Sequence, residues 1–238
     1  LIWPAMFLHG VVLVHWFALA HECVHWTVFR TRWLNNAAGY LAGAIIILPF
    51  KHFRYEHCDH HTHTQIAGHD PEQVPMPRTL GEYAWYLSAI PYWRTKITEL
   101  LRHAAGRLAP EEEVFVPKED RAAITAEARA MLALYAALLA GSVALGTDAL
   151  LWLWLIPLAL GEPVMRWIRM TEHVGRPQVA DMADNTRTNL VSWPWRVLGW
   201  NMNYHAAHHY AASVPFHALP ALHERLKDHV HVEPGGYP

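Results

Sequence analysis

Hydrophobic positions along the chain gather into four runs separated by polar stretches. The first, Leu1–Ala20, carries no charge and is about long enough to cross a bilayer, which takes roughly 20 residues. The second, Ala37–Phe50, is too short for a full crossing and meets Pro49 near its end, so it predicts a re-entrant or interfacial segment. The third and fourth, Ala130–Leu145 and Ala149–Ile168, are parted by Gly146–Asp148, a turn sequence, and predict a transmembrane helical hairpin. Ser142 and the hairpin glycines are small enough to let its two arms pack closely. Arg121 and Arg129 precede the hairpin, Arg166, Arg169 and Arg176 follow, and the turn has no basic residue, which places both ends on the cytoplasmic side. Between Pro71 and Glu127 the pattern is mixed. Gly81–His103 alternates aromatic and polar residues as an interfacial amphipathic helix does, and "APEEEVFVPKEDR" reads as an exposed, Pro-bounded loop. The fold class expected is all-α: an integral membrane helical bundle with a cytoplasmic helical cap, one domain over residues 1–238. The chain opens on Leu1 inside an apolar run, so a truncated N-terminus is expected.

Composition sharpens this picture. Apolar residues make up 53% and charged residues 17%, richer and poorer respectively than an ordinary soluble domain. A net charge of −2 gives no reason to expect nucleic acid as a partner. The two cysteines, Cys23 and Cys58, make no disulfide framework and are expected to be unpaired thiols. The unusual figure is 19 histidines, as many as Lys and Arg together.

Those histidines cluster. His21 and His25 lie four apart in "HECVH"; His57, His60 and His61 form "HCDHH"; His205, His208 and His209 form "HAAHH". On a helix, residues three and four apart share a face, so each cluster aims its imidazoles at one point. His173, in "TEHVG", follows the hairpin's exit. By itself "HECVH" is also the zinc-protease signature, with Glu22 as general base. A catalytic zinc, however, takes three protein ligands, and nine convergent imidazoles suit two roughly octahedral ions. Imidazole binds Zn, Cu, Fe and Ni alike, so ligand type does not choose the metal. Carboxylate neighbours that could receive a ligand's second N–H are Glu22, Glu56, Asp59 and Glu172, with Asp70, Asp184 and Asn203 as weaker candidates. His15 reads as a buried histidine, His63 and His69 as possible neighbours of the second cluster, and His52, His103, His217, His223, His229 and His231 as surface residues.

The three boxes in this order around a membrane hairpin resemble the membrane fatty acid desaturase and hydroxylase superfamily. "NTRTN" at Asn185–Asn189 and "WNMNYHAAHHYAASVPFHALPALH" at Trp200–His223 are similar to its bacterial desaturase-like branch, which includes the hydrocarbon oxygenases of rhizopine breakdown. "TEHVG" resembles the separate ligand motif of alkane hydroxylases. Two departures are a missing upstream span and, in the third box, an alanine where an acidic residue often stands.

What the resemblance implies is a non-haem di-iron (two Fe) oxidoreductase whose metal ligands are His21, His25, His57, His60, His61, His173, His205, His208 and His209. It would use O2 and two external electrons to desaturate a fatty acyl or related lipid chain. The alternative is a monooxygenase that hydroxylates or ketolates alkanes, carotenoids or other apolar molecules. The implied partners are a lipid or hydrocarbon substrate, O2 and a separate electron donor of ferredoxin, rubredoxin or flavoprotein type, because the chain has neither a Cys₄ pattern nor a Rossmann glycine fingerprint. The implied location is a bacterial inner membrane with the site on its cytoplasmic face. The other classes weighed are an intramembrane zinc protease and a metal-transport protein. The second would call for ionisable residues through the spans, and Ala130–Leu145 has none.

Overall fold

A computed structural model describes residues 1–237. The chain runs through thirteen α-helices among the described residues: α1 (Ile2–Val14), α2 (Trp16–Val24), α3 (Arg32–Ile46), α4 (Phe50–His63), α5 (Leu80–Leu87), α6 (Ile90–Ala104), α7 (Glu112–Phe115), α8 (Arg121–Ala144), α9 (Ile156–His173), α10 (Met182–Asn185), α11 (Trp193–Leu198), α12 (His205–Tyr210) and α13 (Leu219–Leu226). The only strands among them, β1 (Thr188–Asn189) and β2 (Val232–Glu233), pair in parallel, Thr188 beside Val232. The expected all-α membrane bundle is what forms.

Three stretches are long and apolar enough to cross a membrane: Ile2–Val24, Lys118–Ala144 and Leu151–His173. The first is α1 and α2 in succession, broken at His15, whose Nδ1 donates to the Val11 carbonyl at 2.6 Å. In the third, a wide π turn over Leu151–Leu155 leads into α9. The short apolar run Ala37–Phe50 falls on α3 and its turn into α4, and these two helices are bent by 99° at the break. The bend has a visible cause. Ile47 ends α3 in the left-handed region at φ 57°, costly for a β-branched residue, and the Leu48 N–H returns to the Gly43 carbonyl at 2.8 Å in a Schellman-type cap. Pro49 then begins α4.

Small residues matter at a different crossing from the one expected. Gly141 has no neighbour near its Cα, and the main partner of α9 is α1 rather than α8. Gly10 of α1 and Gly161 of α9 meet backbone to backbone, and a Cβ on either would overlap the other helix. That contact sets the first span against the helix that ends in His173. The outer face of α8, with Leu138, Leu139 and Val143 exposed, is left for lipid. The expected Gly81–His103 helix is two helices, α5 and α6, split where Ala89 adopts φ 59° just before Pro91.

Candidate metal centre

The nine histidines, the residue pair of "HECVH" included, meet in two groups. His21, His25, His57, His61 and His208 form one, and His60, His173, His205 and His209 the other; the ligating atoms within each group lie inside 4.8 Å of one another. Each comes from an element whose geometry explains its aim. α2 delivers His21 and, at its C-cap, His25; one face of α4 delivers His57, His60 and His61; α9 ends on His173; the single turn α12 delivers the third box. His60 and His61, adjacent on α4, serve different groups, so this helix is the shared wall. The rings of His61 and His209 stack across it with centroids 4.2 Å apart.

The atoms facing one another are chemically unsettled as bare imidazoles. Nε2 of His61 lies 3.1 Å from Nε2 of His57 and 3.0 Å from Nε2 of His208. In the other group, Nε2 of His205 lies 2.8 Å from that of His173 and 3.0 Å from that of His209. Nitrogens of His21, His25 and His60 are buried with no hydrogen-bond partner. Neutral imidazole has one lone pair, and lone pairs converging on one point are matched by a cation there. Burial, reinforced by the surrounding imidazoles, holds His205, His208 and His209 well below the usual histidine range, so they stay neutral, as metal ligands must be. The donor set fits two metal ions.

The opposite ring nitrogens are anchored. Nδ1 of His57 pairs with Glu72 Oε1 at 2.8 Å, and Nδ1 of His60 with Asp70 Oδ1 at 2.7 Å. Asp70 is itself fixed by the N–H groups of Gln65 and Glu72, at 2.8 and 2.9 Å. Arg169 of α9 holds the other Glu72 oxygen. Burial alone would raise the Glu72 carboxyl, but Arg169 and nearby imidazoles outweigh it and keep it at about 2. His173 Nδ1 donates to the Asn185 carbonyl at 3.2 Å, and His209 Nδ1 meets Thr64 Oγ1 at 3.2 Å. These contacts point Nε2 inward and fix the tautomer.

The other residues singled out from the sequence make no hydrogen bond to a ligand histidine. Glu22 is 3.9 Å from His21 Nδ1, beyond a hydrogen bond, and accepts instead from Thr27 Oγ1 at 2.6 Å and the Phe216 N–H at 3.0 Å. One of its oxygens is thus engaged by Thr27 and Phe216, and the other makes no hydrogen bond to a box histidine. Glu56 pairs with Lys96 and Asp59 with His63. Glu172 sits 3.9 Å from His205 Nδ1 and 3.5 Å from Arg169. Asp184 offers its backbone carbonyl to Arg176. Asn203 donates to the Asn189 carbonyl at 2.9 Å, steadying the chain just before α12. Sequence reasoning missed Glu72, Thr64 and Asn185, and ranked Asp70 too low. Thr64, Asp70 and Glu72 act from segments between helices and Asn185 from the end of the one-turn α10, where no periodicity marks them.

Two further expectations are corrected. His52, His103 and His223 are buried rather than at the surface. Within the charged loop Glu112 and Val116 are buried, because α7 folds back onto α4. His63 and His69 lie beside each other, with His63 on Asp59 of the second box. Cys23 and Cys58 are unpaired, as expected.

A membrane bundle whose helix ends converge nine imidazoles in a five-plus-four arrangement defines a class of polyhistidine metal-site membrane proteins. The sequence profile of the fatty acid desaturase family matches residues 1–234, and the chain belongs to that family. A fatty acid conjugase of Calendula officinalis is 24% identical over 93% of this chain and 67% of its own length. An sn-1 oleoyl-lipid 12-desaturase of Picosynechococcus is 32% identical over 38% of this chain and 26% of its own length. An sn-1 acyl-lipid omega-3 desaturase (ferredoxin) of Nostoc is 25% identical over 47% of this chain and 33% of its own. The chain thus spans at most about two thirds of these relatives.

Proposed function

We propose that this protein is an O2-dependent di-iron oxidoreductase that desaturates a fatty acyl or related lipid chain. The observation that carries the reading is the sorting of nine imidazoles into groups of five and four around α4. His21, His25, His57, His61 and His208 would hold one iron, and His60, His173, His205 and His209 the other. Bound there, the pair supplies the O2 activation that attacks an unactivated C–H bond. The chain's own part is positional. Asp70 and Glu72 hold His60 and His57 with Nε2 inward. Phe17 and Phe53 pack on the rings of His21 and His57, at 5.9 and 5.3 Å, and keep water from that side.

The electron donor is a separate protein, in line with the ferredoxin in the Nostoc relative's name. The basic residues flanking α8 and α9 support a cytoplasmic face for the site in a bacterial inner membrane. Iron and protein measured together on oxygen-free material test the metal assignment, with two irons per chain expected. Turnover under ¹⁸O2 tests the reaction: desaturation leaves the lipid product unlabelled, whereas labelled product assigns the chain to the hydroxylating alternative.

A further inference from the structure

A third set of ligating side chains meets away from the nine histidines. His52 on α4, His103 in the last turn of α6 and Glu112 opening α7 bring their donor atoms within 4.8 Å of one another, and all three residues are buried. Glu112 is 6% exposed although Glu111 and Glu113 on either side are exposed, so this one acid of the run is turned inward. Its Oε2 lies 3.0 Å from His103 Nε2 and its Oε1 3.6 Å from His52 Nε2. The two imidazole rings sit 4.5 Å apart, and His52 Nε2 is buried with no hydrogen-bond partner.

Hydrogen bonding alone leaves this arrangement incomplete. A carboxylate has about four acceptor positions. Arg102 occupies one on Oε1, and Oε2 takes the Ala109 N–H at 2.7 Å and a hydrogen bond with His103 Nε2 at 3.0 Å, the contact an ion between them would replace. A lone-pair position on Oε1 still faces His52, too far away for a hydrogen bond yet placed to share an ion with it.

We propose that His52, His103 and Glu112 form a mononuclear divalent-metal site, separate from the nine-histidine centre, with zinc as its ion. Two imidazoles and one carboxylate are a zinc donor set. Arg102 on the carboxylate and the Phe115 ring 5.8 Å from His52 crowd the remaining directions, which suits four-coordinate zinc better than an octahedral ion. The ion clamps α6 and α7 onto the helix that carries the second histidine box, five residues before His57. It exchanges no electrons. The site depends on no assumption about the chemistry at the nine histidines.

The test is elemental analysis of the purified full chain, reading zinc and iron separately. One zinc per chain is expected beside the iron. His103→Gln and Glu112→Gln are each expected to remove the zinc and leave the iron content unchanged. Zinc absorption-edge spectra of the wild type should show imidazole and oxygen neighbours. Where a variant fails to fold, cobalt(II) chloride added to wild-type chain that keeps its iron but has been stripped of zinc serves instead, with visible bands of low-coordinate cobalt saturating at one equivalent. A chain that holds no zinc and takes up none when one equivalent is added overturns the proposal. So do folded variants that keep their zinc, or cobalt bands absent at that equivalent. Zinc present with iron absent would sink the di-iron reading, and this site would stand only if His103→Gln or Glu112→Gln then removed one equivalent of that zinc.

Discussion

The five-histidine and four-histidine groups share α4 and α12, yet they are supported in different ways. The five-membered group takes two ligands from the end of the first span, and its anchor, Glu72, is gripped by Arg169 from another span. The four-membered group takes His173 from α9, and its anchors are Asp70 and Thr64 on connecting segments and the Asn185 carbonyl at the end of the short α10. One group is braced by an ion pair between distant elements and the other by local loop geometry. With one imidazole fewer, the second offers an ion one ligand less.

The largest expected effect comes from a ligand that α12 brings against α4, His208, whose Nε2 lies 3.0 Å from that of His61. His208→Ala should abolish turnover and bring iron from two per chain towards one, read by elemental analysis. Full activity at full iron content would take the third box out of the site. Next come the two anchors. Glu72→Gln and Asp70→Asn should each weaken iron retention by about 10–100-fold in a chelator competition. Glu72→Gln should be the more harmful, because it also strips Arg169 of its partner; the reverse order would break the contrast between braced and locally held groups. Acid should act on both groups in the metal-free protein. His205, His208 and His209 are held below the unfolded value of about 6.5. The unfolded chain therefore binds more protons below that pH, so stability is full above about pH 6.5 and falls as pH drops beneath it. The melting temperature of metal-free protein in detergent should be lower at pH 5.5 than at 7.5, and a flat profile would contradict the burial argument. The smallest effect is mechanical. Gly161→Ala forces α1 and α9 apart, costs about 1–3 kcal/mol as overpacking does, and should lower the melting temperature. An unchanged melting temperature would mean that the two spans do not meet at these glycines.

Much of this molecule was legible in its sequence because membranes and metals both impose strong patterns. Apolar length marked the spans, and i, i+3, i+4 spacing marked the boxes. The anchors were illegible for a physical reason: Asp70 and Glu72 reach the imidazoles through irregular backbone, where spacing carries no directional information, and Asn185 does so from a single turn of helix too short to show a period. Adjacency misled as well. Glu56 and Asp59 lie beside ligands in sequence, but a helix turns neighbours about a quarter-circle away, and they found Lys96 and His63 instead. The burial of His52, His103 and Glu112 depended on α7 folding back, which a run of three glutamates argues against on polarity alone.

The bond from the Phe216 N–H to Glu22 joins positions 194 residues apart. Synthesis proceeds from the N-terminus, so the first box is inserted long before its partners exist. Neither group is complete until α12 has emerged and turned back beneath the first span. A nascent chain stalled before His205 would be anchored in the bilayer with both ion cradles unfinished, which makes metal loading a late event in the life of each molecule.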